Sequence, residues 1–141
     1  MARAELLAAL AAYPDRLADA ARAVADRPVP DGEWTSEQVV RHLIAVEVEV
    51  HQARFADLAD GASPTWDWAE PRPWPGDPEL TLDQLLEGFA HLRTETIATL
   101  EGWDEAGWAR AGRHSTYGPL DVAGLVRNAI THDEEHLRGL G

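Results

Sequence analysis

The chain has 141 residues, 45% of them hydrophobic, which suits one globular domain, 1–141, with a core of its own. Its net charge of −13 opposes approach to phosphate backbones and anionic lipid, and so disfavours nucleic-acid and membrane-surface partners. Cysteine is absent and all 12 basic residues are arginine, which excludes thiolate nucleophiles, thiolate metal sites, disulfides and lysine Schiff bases.

From Ala2 to about Asp26 the apolar residues Leu6, Leu7, Leu10, Leu17, Ala21 and Val24 recur at helical intervals. Proline fits a first turn better than a helix interior, so Pro14 predicts a short leading helix and a main first helix after it. Glu5 and the amphipathic spacing argue against a signal peptide, and no apolar run is long enough to span a membrane. A cytoplasmic protein is expected.

Thr35 as cap, Gln38 as its reciprocal partner and Trp34 against Val39 as a staple predict a second helix from Ser36 to about Ala59. His42 lies on its buried stripe with Val39, Leu43, Val46 and Val50. His51, nine residues further on, falls half a turn away and is expected at a surface or interface. Gly61 to Pro78 is dense in proline and interleaved with Trp66, Trp68 and Trp74, so it predicts a packed-down loop with no regular element. Thr81 and Gln84 repeat the capping grammar and open a third helix through Leu85, Phe89, Leu92, Thr96 and Leu100, with His91 facing solvent. Glu101 to Gly118 reads as a glycine-punctuated loop holding one short helical turn, with His114 in it as a non-ligand. Asp121 caps the last helix, on which Leu125, Ala129, His132 and His136 share one inward stripe.

His132 and His136 stand at i and i+4, where two imidazoles can converge on one ion; on this spacing alone the favoured reading is two neighbours on a solvated helix face. His42 joins them only if the second and fourth helices are antiparallel, which requires the connection between helices two and three to cross the length of the bundle. Eighteen extended residues reach about 60 Å against about 36 Å for a helix of about 24 residues, so 61–78 can do it. Glu49 shares the His42 face about 10 Å along the axis, suited to a pocket wall or to solvent and not to the same ion. Glu47 is displaced from His42 by about 140°. Asp133 is expected to hydrogen-bond a ligand or to lie exposed. A zincin-type peptidase would need glutamate where Asp133 stands and a further ligand beyond His136, and a ferritin-like site would need two Glu-x-x-His pairs, which are absent.

Trp34-Thr35, His42-Leu43, Glu47, Arg93, Tyr117-Gly118 and His132-Asp133-Glu134-Glu135-His136, in this order, resemble the DinB-like superfamily in its YfiT-type branch, over nearly the whole chain. The resemblance implies an all-α four-helix bundle of up-down-down-up topology, commonly a homodimer, with a divalent metal on His42, His132 and His136. Zinc, nickel or iron would suit those ligands. It gives Glu47 a packing or ligand-orienting role, and it implies a small-molecule substrate and transferase chemistry on a thiol such as bacillithiol or mycothiol, or hydrolysis. A metal that only staples the bundle, a small-ligand module under the Trp-rich crossover, and a metal-free interaction protein stay open beside it.

Overall fold

The computed structural model describes residues 2–61 and 63–140. Its frame is four helices in up-down-down-up order: α1 (Arg3–Val24), a long second helix, α4 (Leu82–Glu101) and α6 (Val122–Leu140). The second helix comprises α2 (Ser36–Val46), a π-helical segment (Glu47–Gln52) and α3 (Ala53–Ala59). α1 packs on both α4 and α6, and α2 packs on α4.

The starts of α2 and α4 are fixed by reciprocal caps. Thr35 Oγ1 accepts from the Gln38 amide at 3.2 Å while Gln38 Oε1 accepts from the Thr35 amide at 2.8 Å. Thr81 and Gln84 repeat the arrangement at 3.1 and 2.9 Å, and Asp121 Oδ1 caps α6 through the Gly124 amide at 2.8 Å. Each cap satisfies amides that the first helical turn cannot.

Pro14 does not divide the first helix, contrary to the sequence expectation; α1 runs through it. Proline has no N–H to give the carbonyl of Leu10 four residues back, and that carbonyl instead accepts from Arg93 Nη1 at 3.1 Å. A group from another helix replaces the missing bond.

Two apolar clusters fill the bundle. One gathers Leu6, Leu10, Phe55, Leu58, Leu100, Val122 and Val126, the other Tyr13, Leu17, Val40, Leu43, Leu85 and Phe89. At the level of Arg93 a polar group joins all four helices. Arg93 gives Nε and Nη2 to Glu47 at 3.0–3.2 Å, Nη1 and Nη2 to Asp133 at 3.0 Å, and Nη1 to Leu10 O. All five guanidinium N–H donors are used, which is what makes burying the charge tolerable. Burial alone would raise the Glu47 carboxyl, but Arg93, His51 and the hydrogen bonds from Arg93 and Thr96 together outweigh it and hold Glu47 below the usual carboxylate range. Thr96 Oγ1 adds a 2.8 Å bond to Glu47 Oε2.

The crossover between the second helix and α4 runs back along the bundle, and α2 holds its far end. The Trp74 amide donates to Arg41 O at 3.0 Å. The Arg41 guanidinium donates to the carbonyls of Trp74, Gly76 and Asp77 at 3.4, 3.1 and 2.7 Å. The sequence expectation of no regular element there needs correction, because β1 (Thr65–Trp66) pairs in parallel with β2 (Ala111–His114). β2 in turn pairs antiparallel with β3 (Gly118–Asp121), so the segment expected as loop holds a hairpin as well as the short helix α5 (Glu105–Trp108). Gly112 is required here: a Cβ would stand 2.4 Å from the buried Trp66 ring.

Candidate metal centre

His42 sits in the second turn of α2 and is fully buried. The antiparallel run of α6 brings His132 and His136 to it, with ring centroids at 5.6 and 4.7 Å from the His42 ring. His132 Nε2 and His136 Nε2 are 3.1 Å apart. The three histidines singled out in the sequence are therefore adjacent in space.

A fourth group was not anticipated. Glu70, in the crossover, places Oε1 3.1 Å from His42 Nε2. One ligand atom from each of His42, Glu70, His132 and His136 can be chosen so that all lie within 4.8 Å of one another. Its neighbour Pro71 turns its carbonyl to His42 Nδ1 at 2.6 Å. A carbonyl only accepts, so Nδ1 carries the proton and Nε2 presents a lone pair. Nε2 makes no hydrogen bond although Glu70 Oε1 is close. A lone pair and a carboxylate oxygen thus face each other, an arrangement suited to a cation between them. Two donors about 2.0–2.1 Å from one tetrahedral ion are separated by about 3.3 Å, close to both 3.1 Å spacings seen here. The donor set fits a divalent metal.

Electrostatics keep the rings in ligating form. Burial, then repulsion from His136, His51 and His42, pulls His132 down to about 3. Burial also lowers His136. Both are neutral near pH 7, the form in which an imidazole can ligate a metal.

His51 is on the inner side, contrary to the expectation of a surface or interface position. It is half-buried, its ring 6.2 Å from that of His132 and its pKa drawn by burial to about 4. The π-helical segment explains the error: widening the turn absorbs about one residue, or roughly 100° of rotation, and swings His51 toward the site. With Val46, Trp68, Glu70, Tyr117 and His132 it lines a cavity of about 160 Å³.

The other candidates separate from the cluster. Glu47 and Asp133 are buried on Arg93, so Asp133 neither bonds a histidine nor lies exposed. Glu49 is exposed and borders a different, apolar groove of about 460 Å³ with Val48, Trp74 and Leu92. His114 is buried in β2, its Nδ1 accepting from the Thr116 amide at 3.0 Å, apart from the ligand group. His91 is exposed beside Glu95. Trp34, itself 38% exposed, lies with its ring 4.9 Å from the His42 ring.

The family model of the DinB superfamily matches residues 1–140. The chain belongs to the DinB superfamily. No curated protein matches it. Among solved structures, the chain resembles YfiT from Bacillus subtilis, described as a probable metal-dependent hydrolase with an unusual four-helix bundle topology. The two share 20% identity with a TM-score of 0.72, over 97% of this chain and 84% of YfiT. At that identity the likeness establishes the fold of this DinB-superfamily chain, the up-down-down-up bundle. No helix among the described residues is long and apolar enough to cross a membrane.

Proposed function

We propose that this DinB-superfamily protein is a metal-dependent enzyme in which His42, His132 and His136 hold one divalent ion that activates a small nucleophile. The nucleophile is water if the enzyme is a hydrolase, and a low-molecular-weight thiol such as bacillithiol or mycothiol if it is a transferase. The observation that carries the reading is the convergence of three imidazoles and a carboxylate within 4.8 Å, with the His42 lone pair directed by the Pro71 carbonyl.

Three neutral imidazoles leave a divalent ion with free positions, the pattern of a catalytic site and not of a closed structural one. A bound zinc, nickel or iron ion would lower the pKa of a water or thiol at such a position. The chain's own residues supply the rest: the Pro71 carbonyl fixes the His42 tautomer, α6 presents the pair one turn apart, and Trp34 packs against the His42 ring. The adjoining cavity of about 160 Å³ supports a small-molecule substrate. A homodimer and a cytoplasmic setting, both implied by the sequence reading, belong to the same proposal.

Elemental analysis of tag-free protein tests the site. About one divalent ion per chain is expected, lost in His42→Ala and in His136→Ala. Turnover of model esters and amides without thiol then indicates the hydrolase, and conjugation that requires bacillithiol or mycothiol the transferase. A chain that takes up no zinc, nickel or iron on reconstitution overturns the reading.

A further inference from the structure

Glu70 differs from the three histidines in how it is held. His42, His132 and His136 are carried by helices, whereas Glu70 lies in a short strap of the crossover pinned on either side of it. Upstream, Arg54 Nη2 donates to the Asp67 carbonyl at 3.1 Å. Downstream, His42 Nδ1 donates to the Pro71 carbonyl at 2.6 Å. Only three residues, Trp68, Ala69 and Glu70, separate the pinned positions, and all three line the cavity beside the histidines.

The strap brings the Glu70 carboxylate to the His42 lone pair, yet the Glu70 side chain is 46% exposed while that of His42 is 0% exposed. A carboxylate released there meets water at once, so letting go costs it little desolvation. The backbone on either side stays pinned while the side chain swings. An ion held by three neutral imidazoles also lacks local negative charge, which Glu70 would supply.

We propose that Glu70 is a detachable fourth ligand of the metal. At rest its carboxylate occupies the position left by the histidines; on substrate arrival it exchanges for the incoming water or thiolate donor and swings to solvent. The step is a ligand exchange, with no bond other than the two metal–donor bonds made or broken. Because Glu70 itself lines the cavity, its swing also changes the cavity wall, linking the open coordination position to an occupied pocket. This inference rests on the proposed metal site.

Cobalt(II) titration followed by visible absorption tests it, since band intensity and position report coordination number without any turnover. The protein as it exists, Glu70→Ala and His42→Ala are compared. The Glu70 side chain is 46% exposed, so its removal is expected to leave the fold intact. The expected result is an intense four-coordinate-type spectrum for the native chain. In Glu70→Ala affinity falls about 10–100-fold and the band shifts as water takes the place of the carboxylate donor, and in His42→Ala binding is lost. Identical affinity and spectrum in the native chain and Glu70→Ala overturn the role of Glu70 and leave the histidine site standing. Absence of cobalt binding by the native chain overturns both.

Discussion

Arg93 grips Asp133 with both terminal nitrogens, Nη1 to Oδ2 and Nη2 to Oδ1, each at 3.0 Å. Asp133 is one residue after His132 and three before His136, so the grip sets the rotation of α6 about its axis. With Asp133 turned into the core, both histidines fall on the flank that meets α2. The ion pair aims the two histidines without touching them.

Replacing Arg93 with methionine leaves Glu47 and Asp133 buried without a counter-charge. The expected loss is about 3–5 kcal/mol or more, enough to unfold a marginal domain. Urea denaturation checks it. The double variant Glu47→Gln, Arg93→Met is expected to recover part of that stability, because one of the two stranded charges is gone.

Pro14→Ala is expected to change stability by less than the roughly 3 kcal/mol that relief of an interior proline usually brings. The Leu10 carbonyl is already satisfied by Arg93, so a restored helix bond there meets little unmet demand. Thermal melts of the two proteins decide the point; a full 3 kcal/mol gain would show the Arg93 bond to be worth little.

Without metal, the chain should weaken on acidification from pH 7.5 to 5. Folded His132, at about 3, and His51, at about 4, stay neutral where the unfolded imidazoles, near 6.5, take up protons. His136 shifts in the same direction. The unfolded chain then binds more protons, so stability is lost as pH falls below about 6.5, by up to about 2 kcal/mol per imidazole at pH 5. Asp133, pushed up to about 6 by burial, has the opposite sign between 3.8 and 6, because there the folded state keeps the extra proton. Three histidines outweigh it. Urea midpoints in the presence of a chelator at the two pH values measure the balance, and a midpoint that rises at pH 5 would contradict it.

Arg41→Met keeps apolar bulk but removes the guanidinium that holds the carbonyls of Trp74, Gly76 and Asp77. A loss of about 2 kcal/mol is expected from these charge-assisted bonds. The crossover should become the first site of proteolytic cleavage while α1 and α6 stay protected, which mass spectrometry of limited digests would record.

The helices were legible because their starts are written in local chemistry: Thr35 with Gln38, Thr81 with Gln84, and Asp121 before an apolar stripe. His42 and the His132–His136 pair were found from periodicity, and the crossover followed from asking how they could meet. The hairpin was not legible, since the buried positions in β2 are Gly112 and His114, which give no apolar alternation. Nor was Glu70, a loop carboxylate whose place depends on where Pro71 and Arg41 fasten the crossover. His51 was misplaced because no composition signal announces a π-helical turn. Asp133 and Pro14 both turned on Arg93, a long-range partner that helical spacing does not reveal.

A single cation shared by α1, the second helix, α4 and α6 also bears on how the domain opens. Peeling away any one helix at that level strands a charged or polar group in an apolar interior, so partial openings there are nearly as costly as complete ones. Hydrogen exchange should accordingly show the slowest amides around Leu10, Glu47, Arg93 and Asp133 exchanging with one common free energy, as a single cooperative unit spread over four helices far apart in the chain.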